Sequence, residues 1–426
     1  MGDGGRGGGP DDDPARPSDV ATTPTTLGFL EILRMPEVRA ATVGTFVIML
    51  GYGIVSPVLP NYARSFGVGY DAVGLLIAGF SFARLVADPF CGRAIDRFGE
   101  RWTTAGGAVL VGVSSVAAGL APTFPLLLLF RSLGGVGSAV FFAAMLSFLL
   151  RTVPAERTGR VMSVFFGAFN VGFIAGGPMG GVIANALGLA SPLHVYGVAC
   201  FISAWLFWRS IYDPERTQAE DDAPGWRHLP WRERSFLAVL ASNAAYLWFV
   251  GAIYATLIPL YGRDPVGLSL SGVGLALAIA TGTELVCLFP AGKLTDTRGR
   301  RAVLLPSLFA MAIIGSVLGV TRSPVVFMVL MAVMGVTTGF GGVPEAPMLG
   351  DVTRPEMKGS AVGMFRFFGD LGFVAGPLAA GWAADAIGFT GAFVISAVPV
   401  LVAAGLVASI PETMRPLPRT GEAPGL

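Results

Sequence analysis

Twelve stretches of about 20 mainly apolar residues run through this chain, near residues 38–62, 70–92, 102–120, 124–150, 159–186, 192–211, 235–261, 269–293, 302–320, 324–349, 359–385 and 389–410. Short charged or Pro/Gly-containing turns separate them. A bilayer core about 30 Å thick needs roughly 20 residues of helix, and only helices or closed barrels satisfy every backbone polar group inside it. The pattern predicts an all-α membrane protein with twelve transmembrane helices. Composition agrees, with 13% of residues charged against about 25% in soluble chains. A net charge of +1 offers no basic surface for nucleic acid. Cys91, Cys200 and Cys287 lack paired or metal-ligand spacing, and the histidines are His194 and His228 alone. No nucleophile–base or metal-ligand set is visible, so neither enzyme chemistry nor a metal or cofactor is expected.

The first 27 residues are rich in Gly, Pro and Asp and predict a disordered tail; they lack the layout of a cleaved signal, leaving the first span to direct insertion. With the amino terminus in the cytoplasm, the cytoplasmic turns carry Arg93, Arg97, Arg101, Arg151, Arg157, Arg160, Lys293, Arg298, Arg300, Arg301, Arg354 and Lys358, while the opposite face holds Arg64, Arg263 and Arg322. That bias places both termini in the cytoplasm of a multi-pass plasma (cell inner) membrane protein. The polar, proline-containing connection 212–234 divides the spans six and six. It predicts halves of 28–211 and 235–410 joined by a cytoplasmic linker, with a second tail at 411–426.

The halves repeat each other. Gly92, Asp96, Gly99 and Arg101 match Gly292, Asp296, Gly299 and Arg301, every pair 200 residues apart. Glu156 and Gly159 match Glu356 and Gly359 at the same offset, as do Gly172, Phe173, Ala175, Gly176 and Gly188 with Gly372, Phe373, Ala375, Gly376 and Gly388. A run at one offset means duplication, which predicts two pseudo-symmetric six-helix bundles with a site between them. The loop signature G-x-x-x-D-x-x-G-x-R occurs at Gly92 to Arg101 and again at Gly292 to Arg301. Over residues 38–410 the chain resembles the major facilitator superfamily, and in pattern the twelve-span drug/proton antiporter-like exporters.

In the loops, Gly92 and Gly292 allow close helix packing, and Asp96 and Asp296 can accept hydrogen bonds from arginines and helix amino termini. With Arg97 and Arg300 beside them, these residues form a latch that closes one face in one state, or a solvated turn that sets topology. Arg131, in the fourth span, looks like the family's intramembrane arginine, and the resemblance implies a part in proton coupling; the alternative is a side chain that snorkels to the interface. Gly172, Gly176 and Pro178 look like part of the antiporter motif, although the spacing departs from it, and Gly372, Gly376 and Pro377 repeat it loosely. Hinge and generic packing both remain open.

Arg84 and Glu284 occupy equivalent positions with opposite charge, 200 residues apart. Asp88 lies one turn further along the second span, and Arg366 and Asp370 share a face of the eleventh. In the family these spans meet, so Arg84 is expected to pair with Asp370; the alternative is that Glu284 neutralises Arg366. Such groups either exchange a proton during transport or hold the halves together permanently. Glu345, between Pro344 and Pro347, sits where the helix should break, in a gate or at the interface.

The resemblance also points to Tyr52, Asn170, Tyr246, Trp248 and Tyr254 as cavity residues, against packing on lipid or neighbouring helices. It implies a secondary transporter working by alternating access as a monomer in the lipid bilayer. A small-molecule substrate and protons would be its partners, with efflux of a drug-like compound as the leading reading. Import or facilitation of a nutrient or organic acid, and a non-transporting membrane sensor, are the alternatives. The first span carries no carboxylate in 38–62, so the proton site of an exporter would lie elsewhere.

Overall fold

In the computed structural model the described residues are 2, 35–153, 155–213, 226–354 and 357–414. The amino-terminal tail, most of the linker and the last twelve residues fall outside them, as do Glu356 and the side chain of Glu156. Among the described residues, ten helices are long and apolar enough to cross a membrane. Two of these, Tyr70–Gly119 and Lys358–Ala408, contain 50 and 51 residues. Each is broken at one glycine, Gly99 (φ 79°) and Gly388 (φ 77°), because only glycine enters that region cheaply. Ten helices with two divided make twelve spans, the number expected.

We number them α1 (Pro36–Val55), α2 (70–98), α3 (100–119), α4 (Phe124–Thr152), α5 (Ala155–Leu187), α6 (Ser191–Ser210), α7 (Arg234–Arg263), α8 (Leu270–Arg298), α9 (Arg300–Leu318), α10 (Pro324–Val352), α11 (358–387) and α12 (389–408). Pro36, Pro125, Pro192 and Pro324 open four of them, since a missing N–H costs nothing in a first turn. Inside the spans proline breaks the ladder. The α1 path stops at Val55 and resumes as Leu59–Arg64 around Pro57, and α10 is interrupted before Glu345 at Pro344. In α7 the stretch Val250–Leu257 widens to a π-helix, where Thr256 Oγ1 donates to the Gly251 carbonyl at 2.9 Å.

The duplication extends to the backbone. Six glycines between spans have positive φ: Gly67, Gly99 and Gly188, then Gly267, Gly299 and Gly388, each pair separated by 200. Every half also has its own apolar core. Leu76, Phe148, Phe165 and Phe207 are buried in the first, Phe236, Phe249, Phe327 and Phe393 in the second. Large apolar side chains cover the outside as well, Phe289 at 86% and Val286 at 72% exposure among them. A surface of that kind faces lipid.

Candidate functional site

At the end away from the repeated loops, the halves touch backbone to backbone, twice. Gly74 of α2 lies against the Pro377 carbonyl of α11, and Gly381 against Tyr70 and Asp71. The second contact joins α8 to α5: Gly274 lies against Gly177, and Gly181 against Leu270 and Ser271. Gly74 and Gly274, position 177 and position 377, and Gly181 and Gly381 are three pairs 200 apart, so one contact is the repeat of the other. Polar contacts reinforce this end. Asn61 Nδ2 donates to the Pro259 carbonyl at 3.4 Å, Tyr70 OH to Asp264 Oδ2 at 3.0 Å, and the Asp71 N–H to Asp385 Oδ2 at 2.7 Å.

The small residues of α5 serve two partners. Gly172, Gly176 and Gly180 are spaced by four and face the Phe46, Leu50 and Ile54 carbonyls of α1 inside the same half. Gly177 and Gly181, on the other face beside Pro178, meet α8. Similarly Gly372 and Gly376 face the Ala244 and Trp248 carbonyls of α7, while the Pro377 carbonyl meets Gly74 and its ring packs on Gly251 of α7. The glycines that looked out of step are two faces of one helix.

Deeper along the interface, Arg84 Nη2 contacts Asp370 Oδ1, as expected, and Arg366 Nη2 lies 4.0 Å from Asp88 Oδ2. Both pairs join α2 to α11. Their counterparts across the repeat are Glu284 with Asn170, and Leu288 with Phe166. Divergence at these four offset pairs has thus placed ionic contacts on one inter-half face at positions where the other carries none. Arg366 also stacks over Phe142 of α4, with its guanidinium carbon 5.2 Å from the ring centre.

The alternative contact, between Glu284 and Arg366, is not the one formed. Glu284 points into its own half, accepting from Thr338 Oγ1 at 3.1 Å and Tyr246 OH at 3.4 Å, while Arg366 is occupied by Asp88. Tyr254 OH lies 3.3 Å from Thr338 Oγ1 and so joins the same hydroxyl cluster. Glu345 lines no open gate and is not interfacial: it is 3% exposed and accepts from Ser242 Oγ at 2.6 Å. The break at Pro344 turns it inward against α7.

Between the halves lies a narrow cleft, with about 30 Å³ open to a water-sized group in this conformation, lined by Tyr52, Ser56, Phe80, Ser81, Arg131 and Phe373 together with smaller apolar groups. Of the five predicted cavity residues only Tyr52 lines it. Asn170 donates to its own helix at the Phe166 carbonyl (2.8 Å), Tyr246 and Tyr254 join the Glu284 cluster, and Trp248 packs beside Gly372 and Gly376. Phe80, Ser81 and Phe373 were missed, although Phe373 matches Phe173 in the repeat and Phe80 and Ser81 sit one turn before Arg84. Arg131 does not snorkel. It is 3% exposed, with its guanidinium carbon 4.2 Å from the Phe80 ring centre and 5.9 Å and 6.0 Å from those of Tyr52 and Tyr196.

The repeated loops are tied inside each half. Arg101 Nε donates to the Trp208 carbonyl at 2.7 Å and its N–H to Asp213 at 3.0 Å. In the second half Arg301 Nη2 donates to the Ala408 carbonyl at 2.7 Å, and the N–H groups of Arg300 and Arg301 reach Glu412 at 2.8 and 3.1 Å. Asp213 and Glu412, just beyond α6 and α12, therefore cap the amino termini of α3 and α9. Neither was singled out from the sequence, where they lie one residue off the repeat register. Burial pushes the Glu412 carboxyl up, but backbone N–H groups of Met414, Arg300, Arg301 and Thr413 outweigh it and hold the group below the usual range.

Other loop contacts follow the same pattern. Arg300 binds Asp296 at 2.6 Å and Asp351 at 3.3 Å, and Glu100 meets Arg151 at 3.2 Å. Arg97 lies over Phe98, and Asp96 is exposed. A Cβ at Gly92 or Gly292 would meet no atom within 4 Å, so close packing is not their role in this conformation. The conformational demand falls on Gly99 and Gly299 instead.

The Major Facilitator Superfamily profile matches residues 41–283 and again 248–425. Multidrug resistance protein 1 of Bacillus subtilis is 26% identical over 353 residues, 80% of this chain and 87% of that protein. An uncharacterized MFS-type transporter of Methanocaldococcus jannaschii is 23% identical over 360 residues, 83% of this chain and 92% of the relative. The crystal structure of a bacterial homolog to the human lysosomal transporter Spinster, inward-facing and unoccupied, superposes with a TM-score of 0.74 at 15% identity, over 87% of this chain and 95% of that one.

Proposed function

The chain belongs to the Major Facilitator Superfamily, and from that premise we propose that it exports a small organic compound across the cell membrane in exchange for protons. The observation that carries the reading is the duplicated seal. Two symmetry-related glycine contacts close one end of the interface, whereas the described contacts of the loop ends stay within each half. Such an arrangement supports alternating access, with the halves 28–211 and 235–410 rocking about the cleft and the 212–234 connection between them. The bias of basic residues toward the loop end supports a cytoplasmic position for that end and for both termini, and with it an inward-facing state; the working unit in this reading is a monomer. Tight binding of Arg101 and Arg301 within their own halves is the released form of the loop latch.

Two kinds of carboxylate then divide the work. Asp370 and Asp88 face arginines across the interface and hold the halves in register. Glu284 has hydroxyl partners in Tyr246 and Thr338, which hydrogen-bond its charge without neutralising it, so taking up a proton removes a charge that is costly inside the membrane. Glu284 is the proposed proton carrier, with Glu345 as a second buried acid. The test is uptake of lipophilic compounds into inverted vesicles containing the protein, with Asp370→Asn, Glu284→Gln and Arg131→Ala variants alongside. Accumulation that collapses with an uncoupler and in Glu284→Gln supports proton-coupled export; uptake indifferent to the uncoupler refutes antiport and leaves a facilitator or importer.

A further inference from the structure

We propose that the cleft selects amphipathic monoanions, with the acidic head group of the substrate received by Arg131 and its apolar body held by the aromatic wall. This deepens the transport reading and rests on the cleft being the substrate cavity. Among the described residues lining the cleft, Arg131 is the only charged side chain. Its partners are rings: Phe80, Tyr52 and Tyr196 surround the guanidinium, and Nε and Nη1 are buried without a hydrogen-bond partner. The cation is thus positioned and desolvated but not neutralised.

That condition is costly in a membrane interior unless a counter-charge arrives. The neighbouring arginines at the interface already have theirs, Arg84 in Asp370 and Arg366 in Asp88. Among the described residues no carboxylate lines the cleft, while Tyr52, Ser56 and Ser81 supply hydroxyls and Phe80 and Phe373 apolar ring surface that widens as the halves move apart. A planar guanidinium with two unused donor atoms is suited to a carboxylate or sulfonate. An organic cation in the same place would meet Arg131 at close range with nothing to offset the repulsion. The repeat adds a second argument, because position 331, equivalent to Arg131, is the buried Met331. The cation belongs to one wall only.

The test is fluorescence binding to the full chain in nanodiscs of neutral phosphatidylcholine, with three probes of one shape: pyrenebutyrate, its methyl ester, and a pyrenylalkyl trimethylammonium. Wild type is expected to bind the carboxylate at least about tenfold more tightly than the ester, the scale of one charge-assisted hydrogen bond, and the ammonium most weakly. Arg131→Met should abolish that preference and Arg131→Lys restore part of it. Should Arg131→Met fail to fold, Ser81→Asp offers the arginine an internal counter-ion and should weaken the carboxylate while sparing the ester. An ester or ammonium that binds as well as the carboxylate, or a carboxylate affinity unchanged in both Arg131→Met and Ser81→Asp, overturns the proposal. Uptake of the same probes into proteoliposomes separates the two readings. Arg131-dependent binding without uptake sinks the transport reading and leaves the anion site, whereas uptake of ester and ammonium unaffected by Arg131→Met leaves transport and sinks the site.

Discussion

Alanine at Gly274 inserts a methyl group into the seal between α8 and α5. Its Cβ would lie 2.7 Å from the Gly177 carbonyl carbon and 3.1 Å from Pro178 Cα, whereas carbons in contact settle about 3.5 Å or more apart. The helices must therefore part by at least roughly 0.8 Å, the difference between about 3.5 Å and 2.7 Å, and further still to clear the Gly177 carbonyl oxygen, which lies nearer to the new methyl than its carbon. Neither side of this contact is a flexible side chain, so the backbone itself has to yield. Overpacking of this kind costs about 1–3 kcal/mol, and here the penalty falls only on the conformation in which these ends touch. At about 1.4 kcal/mol per tenfold change, the closed-seal state should lose roughly 5- to 150-fold in population relative to the state with this end open. Gly74→Ala, its equivalent across the repeat, meets the Pro377 carbonyl carbon at 3.0 Å and should act in the same direction. Gly176→Ala is the control: its Cβ meets the Ile54 nitrogen at 2.7 Å inside one half, so both conformations should suffer alike. Spin labels at Leu120 and Val320, exposed residues at this end, would report the separation by pulsed electron resonance. The two seal variants should add a longer distance, and Gly176→Ala should lower the melting temperature without adding one. An unchanged distribution in both seal variants, or the same shift in Gly176→Ala, would refute the reasoning.

Asp370→Asn leaves Arg84 without its partner and should cost about 1–3 kcal/mol in thermal stability, less than for a fully buried pair because the Arg84 side chain is 30% exposed. Arg84→Gln combined with Asp370→Asn should recover much of that loss, which a double-mutant cycle by thermal melting will read. For Glu412, the folded carboxyl is held below its unfolded value near 4.3. Its capping contribution is therefore complete above that unfolded value and disappears as pH falls through the lower folded one. Glu412→Gln should melt earlier than wild type at pH 7 by the equivalent of about 0.5–2 kcal/mol, with the gap closing in strong acid. Thr338→Val removes one of the two hydroxyls on Glu284 and should shift the pH dependence of transport while leaving the seal distances unchanged.

The sequence by itself was enough for the twelve spans and the duplication, because both are written in period and offset. Twenty apolar residues have one folded use in a bilayer, and an offset of 200 can be counted without coordinates. The pair Arg84 and Asp370 was legible too, once the second and eleventh spans were set side by side. What tertiary structure decided was direction. Gly176 and Gly177 are neighbours in the chain, yet one meets α1 in its own half and the other meets α8 across the interface, since adjacent helical residues point about 100° apart. Glu284, Tyr246 and Tyr254 turn into their own half, while Phe80 and Ser81 turn to the cleft; hydrophobicity all round a helix gives no periodic signal to tell these faces apart. Asp213 and Glu412 reach α3 and α9 only through the folding of each half, which brings the end of its sixth helix beside the start of its third.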